Sequence, residues 1–182
     1  MSLFRGKYRI ESARLEGFDY TSPGSYFVTI CTKDRIAWFG DIQKGEMHRS
    51  AIGEIVAEEW QKTPAIRPNV TLDEWRVMPN HFHGIVVIGE THVGVTTQPV
   101  ETTRRVVSTN QPTLKPNSLG SIIGQFKSQC TKRIHATGNR DFAWQPRYHD
   151  HIIRDEDDLN RIREYIINNP ANWDEDDQNP SR

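Results

Sequence analysis

Histidines 81 and 83 stand two apart in the run VMPNHFHGIVVI, residues 77–88, at the mouth of the chain's most apolar segment. Alternation along a strand puts residues two apart on one face, with their Cα atoms about 6.5–7 Å from each other. Two imidazoles at that spacing can converge on one metal ion or one phosphate, or can simply close hydrogen bonds at a strand end. Ile85 and Val87 continue the histidine face, whereas Met78, Phe82, Val86 and Ile88 belong to the other. Apolar residues on both faces mark a central strand covered on each side. Two imidazoles alone rarely hold a catalytic ion, so a third ligand must come from elsewhere. The helical pattern DDLNRIREYIINNP, residues 157–170, offers one. Leu159, Ile162 and Ile166 form its apolar stripe, and Tyr165 and Asn169 lie one turn apart on the flank. Tyr165 reads either as a side chain entering a site beside the Asn169 amide oxygen or as a tyrosine at the edge of the core.

Other elements must hold these groups in place. SYFVTICT, residues 25–32, is β-branched and aromatic and predicts a strand, with IAWFG at 36–40 as its expected hairpin partner. Ser50 predicts an N-cap for a helix that puts Ile52, Ile55, Val56 and Trp60 on one face. VTLDEWRVM at 70–78 predicts a second long strand, which Pro79–Asn80 turns into the histidine strand. Residues 89–117 are rich in Thr, Pro, Asn and Val without a sustained period, and a loop that long reads as an insertion, flexible or functional. Ser118 predicts the cap of a helix that turns Leu119, Ile122, Ile123 and Phe126 inward and ends at Gly138–Asn139. DFAWQPRYHDHIIR at 141–154 predicts an extended segment, and Asp155 starts a last helix that Pro170 stops near Asn169. The interleaving predicts an α+β sandwich with an antiparallel sheet.

Composition narrows the function. The 182 residues predict a single domain over 1–182, with the insertion at 89–117 and an acidic tail from 171. A net charge of −1 carries no overall basic signature of a nucleic-acid binder. The charge is uneven, however. Arg5, Lys7, Arg9 and Arg14 crowd the start, while Lys127, Lys132, Arg133, Arg140, Arg147 and Arg154 crowd one later stretch. Each run is either a solvated surface or a stripe that tracks a phosphate backbone. Cys31 and Cys130 are far apart, which fits neither a zinc ribbon nor a disulfide framework, so reduced thiols are expected. The first residues lack the apolar core of a signal peptide, and no apolar run reaches membrane-spanning length. A soluble, cytoplasmic protein is expected.

The sequence resembles the HUH transposases, in which histidine, an apolar residue and histidine sit on a sheet strand. His81-Phe82-His83 in MPNHFHGIVVI fits that pattern, and the likeness extends to SLGSIIGQFKSQCTKRI, WQPRYHDHIIR and EYIINNP. These blocks cover most of residues 24–172 in the order of the one-tyrosine members, especially the bacterial REP-associated tyrosine transposases. The resemblance implies a ferredoxin-like fold, with His81, His83 and Asn169 as ligands of magnesium or manganese and Tyr165 as the nucleophile. It implies a bacterial, nucleoid-associated, monomeric or homodimeric enzyme that cleaves and rejoins single-stranded DNA beside hairpins through a 5′-phosphotyrosine. Lys127, Lys132, Arg133, Arg147, Tyr148, His151 and Arg154 are then the expected DNA cradle. Tyr148 rivals Tyr165 as nucleophile, because two histidines adjoin it. Two other functions stay open: an idle hairpin-binding protein, or a metal-dependent phosphodiesterase with Asp150 or His151 as base and no covalent intermediate.

Overall fold

The computed structural model describes residues 18–90 and 115–180. In chain order, the described elements are β1 (Gly24–Cys31), β2 (Gly40–Gln43), β3 (Glu46–Arg49), α1 (Ala51–Gln61), the short α2 (Thr63–Ile66), β4 (Val70–Val77), β5 (His81–Ile88), α3 (Leu119–Ala136), β6 (His149–Ile153) and α4 (Glu156–Asn168). Three side-chain caps start the long helices where the sequence predicts them. Ser50 accepts from the Gly53 N–H, Ser118 from Ser121 and Asp155 from Asp158, each satisfying an otherwise orphaned donor. No helix among the described residues is long and apolar enough to cross a membrane.

One sheet organises the chain. Its order is β4-β5-β1-β6, and all three neighbouring pairs are antiparallel. The two units β1-α1-β4 and β5-α3-β6 interleave within it, which is the ferredoxin-like arrangement within an α+β fold. Tyr26, Val28 and Ile30 of β1 join Phe82, Val86 and Ile88 of β5 in the core beneath α1 and α3. There Trp60 packs on Phe82 and Phe126 with ring centroids 4.6 and 5.1 Å away. Gly84 makes that packing possible: a Cβ at this position would stand 2.6 Å from the Trp60 ring.

The opposite face holds fewer apolar groups. Phe27, Ile85, Ile162 and Ile166 form its small core beneath α4. A second clamp fixes that helix. Arg163 donates from Nε and from a terminal nitrogen to the two Asp73 oxygens, at 2.9 and 2.6 Å. Asp73 sits at a bulge where the β4–β5 register shifts between Leu72 and Trp75, a device that bends a strand and re-aims its side chains.

Two expectations need correction. IAWFG does not pair with β1, because β5 and β6 already occupy both of its edges. Instead, Trp38 and Phe39 pack against Phe142 and Trp144, and Gly40 starts β2, whose partner is β3. The extended stretch 141–154 is regular only over His149–Ile153, preceded by an isolated bridge between Thr32 and Trp144. The basic N-terminal run and most of the 89–117 insertion lie outside the described residues.

Candidate active site

His81 and His83 share the face of β5 that looks toward α4, as their spacing predicts. Both are buried, and their Nε2 atoms approach to 2.8 Å. Neighbouring residues set the rings. Asn80 donates its amide hydrogens to the carbonyls of Arg35 and Gln178, which leaves its Oδ1 to accept from His81 Nδ1 at 2.9 Å. That fixes the proton of His81 on Nδ1 and turns the Nε2 lone pair into the site. The Nδ1 of His83 meets the Thr29 hydroxyl at 2.9 Å, across the β1–β5 ladder that pairs the two residues. Burial, with the charge of Arg35 adding to it, holds the His81 imidazole down to about 3. Burial and then His81 hold His83 well below the ordinary histidine range. Both rings are therefore neutral at physiological pH, the form that binds a cation.

Helix α4 brings the second set of groups. The Tyr165 hydroxyl lies 3.3 Å from His83 Nε2, and its ring stands edge-on to Phe27 and His83. Tyr165 is 47% exposed, so it is reachable from solvent as well as from the imidazoles. Burial, then the Asp176 charge, pushes its phenol up to about 12. One turn on, Asn169 is buried. Its Nδ2 donates to Asp176 Oδ2 at 2.8 Å, while its Oδ1 is buried without a hydrogen-bond partner. Asp176 reaches the site through a turn at Trp173–Glu175 that stacks the Trp173 ring 5.9 Å from His81. Its Oδ2 lies 3.9 Å from His81 Nε2.

These groups fit a divalent ion. His81, His83 and Asp176 offer donor atoms that all lie within 4.8 Å of one another, and the buried Asn169 oxygen adjoins them. Beside the site opens a cleft of about 670 Å³, lined by Phe27, Thr29, His149 and the acidic turn as well as by Tyr165 and Asn169.

No protein-family model matches the chain. A protein of Haemophilus influenzae (strain ATCC 51907 / DSM 11121 / KW20 / Rd), known only as an uncharacterized protein, is 36% identical over 172 residues, spanning 94% of this chain and 93% of its own. The chain belongs to one family with that protein. Among solved structures, a REP-associated tyrosine transposase bound to a REP hairpin superposes with a TM-score of 0.58 at 20% identity, over 90% of this chain and 74% of the other. The chain has the REP-associated tyrosine transposase fold.

Within that transposase fold, the seven residues expected to cradle DNA are dispersed. Lys132 and Arg133 ride on α3, across the sheet from the histidines. Arg133 is tied to Glu58 and Glu59 at 2.6 and 2.7 Å and clamps α3 to α1. Lys127 donates to the Gln145 carbonyl and pins α3 to the segment before β6. Tyr148 is half-buried against the core under α1 and α3, away from the imidazoles. His151 pairs with Phe27 and so faces the histidine side, but its Nε2 meets Asp158 Oδ2 at 2.7 Å. Arg147 and Arg154 are exposed on either side of β6. Asp150 pairs with Val28 and faces the far side of the sheet, so it cannot serve as a base at this site. Sequence reasoning missed Thr29, Asn80 and Asp176, and also His149 and Arg76, which stand opposite Thr29 and His83 on the histidine face. Only Asn80 carried a local signal, as the polar residue directly before the first histidine.

Proposed function

We propose that this protein is a metal-dependent single-stranded DNA nuclease and strand transferase that works beside hairpins through a 5′-phosphotyrosine on Tyr165. The observation that carries the reading is one cluster: the Tyr165 hydroxyl is 3.3 Å from the same His83 nitrogen that faces His81, with the unpaired Asn169 oxygen one helical turn away. His81 and His83, with Asn169, would hold magnesium or manganese. The ion supplies positive charge that draws electron density from a phosphodiester and stabilises its crowded transition state.

The protein groups do the rest. Tyr165 is protonated at neutral pH and must lose its proton as it attacks. Its oxygen bonds to phosphorus, the P–O3′ bond breaks, and the departing 3′ oxygen gains a proton while the phenol's goes to water. The phosphotyrosine keeps the energy of the broken ester, so a second 3′ hydroxyl can reverse the step on another strand. Ile162, Ile166 and the Arg163–Asp73 clamp hold α4 against the sheet, which supports the alignment that in-line attack requires. Tyr165 meets the histidines of its own chain, which supports action in cis, by a monomer or within a homodimer. The solved transposase of this fold was captured on a REP hairpin, and palindromic DNA with a single-stranded flank is the substrate class we assign, met in the cytoplasm at the bacterial nucleoid. His149 lines the cleft, and the exposed Arg147 and Arg154 flank β6; these are the contacts we favour for the flank.

The test is direct. The full chain is incubated with single-stranded hairpin DNA and manganese or magnesium, then denatured. A DNA-linked band that needs the metal and maps to a Tyr165 peptide is expected. Cleavage that leaves a free 5′ phosphate and no adduct would replace this reading with a simple phosphodiesterase.

A further inference from the structure

We infer that Asp176, in the turn after α4, is an anionic ligand of the metal site, so that His81, His83 and a carboxylate form its core. This rests on the metal-dependent reading above and adds to it a residue that neither the helix pattern nor the histidine motif marks. Two observations and one physical rule point the same way. Asp176 is a buried carboxylate that accepts from two neutral donors, the Asn169 amide and the Gln178 N–H at 2.6 Å. His81 Nε2 stands 3.9 Å from Oδ2, beyond hydrogen-bond reach, and the donor atoms of His81, His83 and Asp176 all lie within 4.8 Å of one another. Buried charges are normally paired or bound to a metal, and a cation between the imidazoles would be that partner.

Ligand chemistry favours the same assignment. Magnesium and manganese prefer carboxylate oxygens to imidazole, and two histidines with one carboxylate is a common donor set for divalent ions with open positions. Asn169 then acts twice. Its Nδ2 holds the Asp176 carboxylate, as outer partners hold ligating carboxylates in metal sites, and its free Oδ1 remains available to the ion. The turn is itself anchored, since Asn80 donates to the Gln178 carbonyl and Arg35 to that of Asp177. The residue that orients His81 therefore also positions Asp176.

Manganese binding to the full-length protein without DNA, read by the loss of the free-ion paramagnetic signal, tests this apart from activity. Asp176→Ala should weaken binding by more than about 100-fold, beyond the roughly 10–100-fold typical of an outer partner. Asp176→Asn keeps the shape and the acceptor for Asn169 but not the charge. It serves even where the alanine variant does not fold, and should weaken binding by more than about 10-fold. Binding by Asp176→Asn within about threefold of wild type would overturn the assignment and leave Asp176 a mere hydrogen-bond partner. His83→Ala separates the two readings. If it binds manganese as wild type does, the metal site itself is wrong; if it loses binding while both Asp176 variants keep it, only the carboxylate ligand is wrong.

Discussion

The two faces of the sheet are built on different terms. Under α1 and α3 lie Trp60, Phe82, Phe126 and a long roster of aliphatic side chains. Under α4 the continuous core is Phe27, Ile85, Ile162 and Ile166, and beside it sit two neutral imidazoles, a threonine, two asparagines and a carboxylate. The first face makes stability and can do no chemistry. The second gives up apolar contact to hold polar groups out of water, which is costly unless each is bonded. Asn80, Thr29 and Asp176 supply most of those bonds. One strand serves both faces, so β5 is at once the core of the fold and the floor of the site.

If that division is right, it can be broken from either side. The largest effect is expected from Tyr165→Phe, which should abolish the DNA adduct entirely while leaving the melting temperature unchanged. Tyr148→Phe should still form it, and a phosphotyrosine mapped to Tyr148 would move the chemistry to the wrong face. On the stabilising face, Trp60→Ala should cost about 3–5 kcal/mol, and Gly84→Ala about 1–3 kcal/mol through overpacking against the indole. Urea unfolding measures both, and adduct yield per folded molecule should hardly change.

A third effect belongs to pH. Free histidine titrates near 6.5, while burial holds His81 down to about 3 and His83 well below the ordinary range. Unfolding below pH 6.5 therefore takes up protons. The stability these rings allow is complete above about pH 6.5 and declines as pH falls toward about 3. Urea midpoints of the metal-free protein between pH 7 and pH 4 should show that slope, and His83→Gln should flatten it; an unchanged slope would mean that the rings titrate normally. The smallest effect is electrostatic. Arg147→Gln and Arg154→Gln should each lower the salt dependence of hairpin binding by about one unit of slope. Arg133→Gln should leave that slope alone, because its charge is spoken for by Glu58 and Glu59.

Much of this was legible in the sequence where the signal is local. The alternation in HFHGIVVI gave the face of both histidines, and Ser50, Ser118 and Asp155 gave the helix starts. The i, i+4 spacing brought Tyr165 and Asn169 to one flank. What the sequence hid depends on pairing across long separations. Thr29 meets His83 only because the β1–β5 register places them opposite each other. Asp176 arrives through a turn whose composition, DEDD, reads as solvated tail. Arg133 looked like a rim cation because nothing near it in sequence reveals Glu58 and Glu59 on another helix. IAWFG looked like a strand because its apolar side chains are wanted by Phe142 and Trp144, not by the edge of β1.

The separations within the site carry a consequence for the chain while it is being made. Thr29 and His83 are 54 residues apart, His83 and Tyr165 are 82 apart, and Asn80 and Gln178 are 98 apart. Synthesis runs from the N-terminus at about 5–20 residues per second, and distant contacts close last. A growing chain that has already paired β1 with β5 owns its imidazoles but no nucleophile. On the proposed reading, chains aborted before residue 165 lack the nucleophile and cannot nick DNA. Cleavage is then withheld until synthesis has passed through α4.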